Sequence, residues 1–227
     1  MNDQTHKNNR DAIYEKHLTS RRQTKTRLLT IRIDVDYPYP SRLRSFIYTT
    51  LCLRAGKDYL KNPKIVARMV NGSTVSVKAH WFFTVKTAPD DELQELIDND
   101  RHEIALHVVN DPYKELKQLE DSTGKKINYY TIHGTARIIA RIMWKRWKVR
   151  APIIPYDFPL RSFHELPTIG LDSLCYSHTM EQALRISEER IREGYVIYFH
   201  PIWLFQKGKL NHRGPFYEVL RRILADG

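Results

Sequence analysis

The sequence predicts an α/β fold organised on a parallel sheet or barrel, and three observations carry that expectation. Short apolar runs rich in β-branched and aromatic residues alternate with helical stretches along the chain. The run from His102 to Val109 is almost continuously apolar, as a strand covered on both faces is. Finally, Asp36, His107, His133, His178 and His200 all fall at or just past the C-terminal ends of predicted strands. In a parallel α/β fold those ends share one face, where side chains distant in sequence converge.

Taken in order, residues 1–27 are polar and basic and read as a flexible or loosely docked segment, and residues 28–227 read as one domain. Leu28, Leu29, Ile31, Ile33 and Val35 supply the first strand, and Tyr37-Pro38-Tyr39-Pro40 ends it, because proline continues neither strand nor helix. Ser41 to Leu60 predicts a helix from the recurrence of Leu43, Phe46, Ile47, Leu51 and Leu53. Strands follow over Val75 to Val85, His102 to Val109 and Ile127 to His133, with helices over Glu92 to Asp98 and Tyr113 to Thr123 between them. Thr135 to Trp147 predicts a helix, Pro152 to Leu160 an irregular stretch and Leu171 to Tyr176 a short strand. Met180 to Glu193 predicts a helix, Tyr195 to His200 the last clear strand and Pro215 to Leu224 a closing helix.

Bulk properties bound the function. With 227 residues, 41% hydrophobic and 11% aromatic, the chain can bury a substantial core and is not of disordered type. A formal charge of +11 invites a polyanionic partner, or serves solubility alone. Two cysteines, Cys52 and Cys175, make no disulfide framework. Residues 1–27 hold no apolar signal core, and no stretch is long and apolar enough to cross a bilayer, so the expected location is cytoplasmic.

Asp34 and Asp36 are two apart on a strand and so point to one face, where a bound cation or a shared proton would relieve their repulsion. The alternative is that the pair caps the turn after the strand. A single histidine in such a position is more often a hydrogen-bonded structural residue. Several on one rim beside two carboxylates favour a metal or acid–base site.

Four segments carry a family resemblance. Asp34-Val35-Asp36 looks like a D-x-D motif and His102-Glu103-Ile104-Ala105-Leu106-His107 like the strand ending G-H-E-I-x-x-H. Glu115-Leu116 through Thr123-Gly124-Lys125-Lys126 resembles a helix with a T-G-K segment, and Tyr198-Phe199-His200-Pro201 a closing motif. In order and spacing, from about Arg27 to Leu224, these resemble the NodB-homology polysaccharide deacetylases, carbohydrate esterase family 4 and its relatives. The resemblance implies a distorted (β/α) barrel of about seven parallel strands. It also implies a metal-dependent hydrolase of a C–N (amide) bond, acting most simply by N-deacetylation of an amino sugar or glycan intermediate. Asp34 would be the catalytic base and His200 the general acid, with Asp36 and His107 as metal ligands.

Two positions depart from the family pattern. Where H-x-x-x-H is usual, the chain has Asp111 four residues after His107. Asp111 is therefore a third metal ligand or the N-cap of a helix beginning near Pro112. Three protein ligands and an open position suit zinc, while the carboxylates also admit manganese, magnesium, cobalt or nickel. The arginine usual after the fourth strand is missing in Tyr129-Tyr130-Thr131-Ile132-His133-Gly134, and His133 or Arg137 would substitute. Tyr37, His133, Arg137 and Trp203 are the expected substrate contacts. Partners implied are an N-acetylated sugar or other small amide.

The stretch Arg137 to Arg150 interleaves cations with Ile138, Ile139, Ile142, Met143, Trp144 and Trp147. It reads as an outer barrel helix, or as a surface that docks peripherally on anionic lipid at the inner membrane face. Arg–Trp mixtures also suit stacking on bases, but no nucleic-acid motif accompanies this one, and that reading ranks lower. Two further function classes stand beside the hydrolase: a catalytically inactive deacetylase-like barrel that binds glycan or a protein partner, and a basic nucleic-acid binder whose association would depend steeply on salt.

Overall fold

Seven parallel strands form one sheet in the computed structural model, which describes residues 28–35, 60–133, 152–206 and 209–226. In chain order the strands are β1 (Leu29–Val35), β2 (Val77–Phe83), β3 (His102–Val108), β4 (Tyr129–Ile132), β5 (Arg161–Ser162), β6 (Thr168–Gly170) and β7 (Val196–Phe199). Across the sheet they run β5-β4-β3-β2-β1-β7-β6, so the chain steps outward from β1 to one edge and then crosses to the other.

That crossing forces the sheet to curl. Ser162 ends one edge strand and Thr168 begins the other, six Cα steps apart, which at full extension reach about 21 Å. A flat sheet with six interstrand spacings would set its edges about 29 Å apart. The strands therefore bend into a half-barrel, and Phe163, buried in the connection, packs inside the curve against Phe82, Ala105, Tyr129 and Val196.

Strand alternation explains what each face carries. On β1, Leu29, Ile31, Ile33 and Val35 point to the helix side and join the main core. Trp81, Phe83, Leu106, Val108, Ile197 and Phe199 lie in the same core, covered by helices α1 (Lys61–Asn71), α2 (Asp91–Leu96), α3 (Pro112–Thr123), α4 (Leu171–Ser177), α5 (Met180–Glu193) and α6 (Pro215–Asp226). Val66, Ala67 and Val70 of α1 and Phe216, Val219, Leu220, Ile223 and Leu224 of α6 are buried there. The opposite face of β1 carries Arg32 and Asp34, both buried, so the inward face of the half-barrel is where charge is placed.

Helix ends follow local chemistry. Asp90 caps α2 through Leu93 N–H and Thr179 caps α5 through Gln182 N–H. Gly124 and Gly194 end α3 and α5 with positive φ, the left-handed conformation that glycine adopts without steric cost.

The α/β class and the parallel sheet agree with the sequence expectation. Several elements differ. Leu171–Ser177 is a helix rather than a strand, because Leu171 and Leu174 meet the core at helical spacing while the strand beside β7 is Thr168–Gly170. His178 is consequently the residue that ends α4, hydrogen-bonded through Nδ1 to Ser177 Oγ at 2.8 Å, and is not on the strand rim. Helix α1 and strands β5 and β6 are not among the expected elements. The expected helices Ser41 to Leu60 and Thr135 to Trp147, with the basic–aromatic stretch Arg137 to Arg150, lie outside the described residues apart from Leu60. Among the described residues no helix is long and apolar enough to cross a membrane.

Two buried histidines tie the fold to pH. His102 accepts from Trp81 Nε1–H at 2.9 Å and therefore donates from Nε2 to Asn71 Oδ1 at 2.8 Å, which fixes its neutral tautomer. Burial pushes the His102 and His80 imidazoles down to about 4. The unfolded chain takes up these protons near pH 6.5 whereas the folded chain does not until about pH 4. Stability is thus full above pH 6.5 and declines between pH 6.5 and 4, by on the order of 3 kcal/mol per group. Urea unfolding at pH 7.5, 6, 5 and 4.5 checks this, and a midpoint independent of pH over that range would contradict it. Trp81→Ala removes a fully buried ring together with the donor to His102, and is expected to cost about 3–5 kcal/mol in the same assay.

Candidate active site

Parallel strands deliver their C-terminal ends to one edge, and on the inward face that edge gathers Asp34 (β1), His107 (β3), Thr131 and His133 (β4 and just beyond) and His200 (just past β7). The register sets these levels. Arg32 pairs with Tyr198 and Ile33 with Phe199, so Asp34 and His200 are the next residues upward on neighbouring strands. His107 lies opposite Thr131, and His133 N–H bonds Val108 carbonyl at 2.8 Å.

Asp34 is held by Arg32 in a two-pronged pair, Nε to Oδ1 at 2.8 Å and Nη2 to Oδ2 at 2.6 Å. Both side chains are buried, at 9% and 4% exposure. Taking two charges out of water costs several kcal/mol per ion, and an isolated contact would not offset it. Here the guanidinium also lies between two ring faces, 5.4 Å from the centroids of Phe82 and Tyr198, so its remaining surface is met by aromatic quadrupoles. The residue that meets the charge of Asp34 is thus Arg32, two residues earlier on the same face, rather than the cation or shared proton expected from the sequence.

His200 forms a second pair. Its Nδ1 donates to Asp172 Oδ2 at 2.6 Å, and Asp172, buried in the first turn of α4, accepts Ser173 N–H on its other oxygen at 2.8 Å. The contact directs Nε2 of His200 away from Asp172. The turn after His200 is fixed by Asn62, whose amide donates to Pro201 carbonyl at 2.9 Å.

Tyr198 sits between the two pairs. Burial raises its hydroxyl pKa, the Asp172 and Asp34 carboxylates raise it further, and Arg32 opposes them. Asp172, Asp34 and Arg32 are therefore each in electrostatic reach of the Tyr198 hydroxyl. Gly170 makes room for that ring, since a Cβ there would lie 3.0 Å from Tyr198 ring atoms.

On the other side of Asp34, His107 Nδ1 bonds Thr131 Oγ1 at 2.6 Å and its Nε2 faces His133 Nδ1 at 3.1 Å. The two rings meet edge to face, with centroids 5.0 Å apart. His164, in the turn that follows β5, accepts Ile132 N–H on Nε2 at 2.9 Å. Burial lowers its pKa, Arg32 and His107 lower it further, and Asp34 opposes them, which places His164 in the same neighbourhood.

The loops around the edge are stitched by polar side chains. Glu115 accepts from Val109 N–H at 2.7 Å and Asn110 N–H at 2.8 Å, holding the turn after β3. Asp111 accepts Lys114 N–H at 3.1 Å as the N-cap of α3, so of the two roles open to it the helix cap is the one observed. Thr87 donates to the Val35 carbonyl and anchors the end of β1. Trp203 lies in the turn after His200 and packs on the helix-side core. Asp36, Tyr37 and Arg137 lie outside the described residues. Among the described residues no three His, Cys, Asp or Glu side chains form a group that could hold a metal ion. The donor set still bears on the question: in the His107 tautomer whose Nδ1 donates to Thr131, Nε2 carries a lone pair suited to a metal.

Of Arg32 and Asp172, only Arg32 leaves a signal in the sequence. Same-face alternation with opposite charge points to Arg32. Nothing local links Asp172 to a histidine 28 residues later. Comparison of the chain with protein-family models, with curated proteins and with solved structures returns no match.

Proposed function

We propose that this chain is a hydrolase of a C–N (amide) bond with a NodB-like deacetylase barrel, removing the acetyl group from an N-acetylated amino sugar or a related small amide. The observation that carries this reading is the buried Arg32–Asp34 pair beside the part-buried Asp172–His200 pair, with Asp34 and His200 at the ends of neighbouring strands on one sheet edge. General acid–base hydrolysis needs two such groups with different partners, and partners of opposite charge are what each has.

In this reading Asp34 accepts a proton from water as the water oxygen bonds to the amide carbon. Each Asp34 oxygen keeps a second lone pair beside its bond to Arg32, so the ion pair orients the carboxylate and leaves it able to act as a base. His200, as the imidazolium, delivers the proton on Nε2 to the amide nitrogen as the C–N bond breaks, while Asp172 accepts from Nδ1, orients the ring and stabilises its charged form. One water is consumed, and a carboxylic acid and an amine leave. A divalent ion, zinc first among the candidates, would be held by His107 together with Asp36 and would polarise the carbonyl and acidify a bound water.

Metal analysis of the purified chain, followed by amine release from N-acetylglucosamine oligomers before and after chelation, tests the proposal. About one equivalent of metal and chelator-sensitive release are expected. Tight glycan binding with no release at any metal loading would instead favour the inactive-barrel reading.

A further inference from the structure

We infer that His133 is a metal ligand, forming with His107 a two-imidazole grip on adjacent strands; the inference rests on the metal-dependent reading above and assigns a ligand which that reading lacks. The two nitrogens, His107 Nε2 and His133 Nδ1, face each other at 3.1 Å with a proton between them. That separation also matches two ligands on one ion. Zn–N bonds of about 2.1 Å set neighbouring nitrogens about 3.4 Å apart at a tetrahedral centre and about 3.0 Å apart at an octahedral one. A cation can therefore replace the shared proton by rotation of the His133 ring about its soft terminal torsion, with His107 kept on Thr131 and the strands unmoved.

Three features preorganise the pair. The backbone is fixed, since His107 lies opposite Thr131 and His133 N–H bonds Val108 carbonyl at 2.8 Å. Thr131, fully buried, meets the far nitrogen of His107 at 2.6 Å, the kind of outer contact that aims a ligating imidazole. His133 is only half-buried, so the proton it gives up from Nδ1 has a route to solvent or to its own Nε2. The pair also answers the missing second histidine of the H-x-x-x-H pattern. Its place is taken by a residue from the next strand, while Asp111, four residues after His107, caps a helix.

The test is calorimetric titration of the chelator-stripped full chain with Zn²⁺, with Co²⁺ visible absorption as a second readout of the ligand field. His107→Ala and His133→Ala are each expected to weaken Zn²⁺ binding by about a hundredfold or more and to change the Co²⁺ spectrum, beyond the 10–100-fold typical of outer contacts. His133→Gln guards against misfolding: it should keep the unfolding midpoint of the parent chain and still lose affinity. If His107→Ala loses the metal while both His133 variants bind it as the parent does, the His133 assignment is overturned and the metal-dependent reading stands. If neither histidine affects uptake, or the parent chain takes up no ion, both fall.

Discussion

Asp34→Ala is expected to destabilise the chain by about 3–5 kcal/mol, a large share of the stability of a domain of this size. The cost lies in what remains, a guanidinium with 9% exposure held between Phe82 and Tyr198 with no carboxylate to meet it. Replacing both partners together, Arg32→Met with Asp34→Leu, is expected to recover most of that loss, because an apolar pair of similar volume carries no uncompensated charge. Urea denaturation of the parent, the single and the double variant measures this directly. A double variant as unstable as the single one would show that the ion pair is not what the site depends on. Amine release should be absent from both variants whichever way the stabilities fall.

The second large effect is kinetic. His200→Ala should lower the rate of amine release by about 10²–10⁴-fold through loss of the proton donor, with folding retained because His200 lies at the sheet rim rather than in the core. Asp172→Asn is the more discriminating change. The amide keeps the shape of the carboxylate yet presents a donor as readily as an acceptor to His200 Nδ1, so the ring loses its fixed tautomer and the rate should fall over a similar range. The acidic and basic limbs of the pH–rate profile separate the two roles. Asp172→Asn should move the limb that reports the proton donor and leave the limb of the base in place. Equal displacement of both limbs would show that Asp172 acts on the fold alone.

The architecture was legible because its cause is local. Alternation on β1, the continuous apolar run of β3 and the caps at Asp111, Thr179, Gly124 and Gly194 each leave a signature within a few residues. The site was legible only at its strand ends. His107, His133 and His200 were found because a strand simply stops beside them. Arg32 follows the same alternation as Asp34, but two like charges two residues apart suggest a cation or shared proton between them rather than an opposite charge on the same face. Asp172 was missed for a different reason. Its segment, Leu171 to Tyr176, has an apolar content that fits strand or helix over so few residues, and only the packing of Leu171 and Leu174 against the core decides for helix. Helix α1 did carry a readable pattern in Asn62, Pro63, Val66, Ala67 and Val70, buried at helical spacing. Strand β5 did not, since two residues cannot display a period.

The central claim is that Asp34, gripped by Arg32, takes the proton from water while His200, gripped by Asp172, gives one to the departing nitrogen. The measurement that bears on it most directly is the rate of amine release from N-acetylglucosamine oligomers by the zinc-loaded parent chain and by its Asp34→Asn variant at matched metal content. The account predicts release by the parent and a loss of at least about a hundredfold in the variant, in which the carboxylate shape remains and the base does not. Equal rates from the two chains, or no release from either at full zinc occupancy, would contradict it.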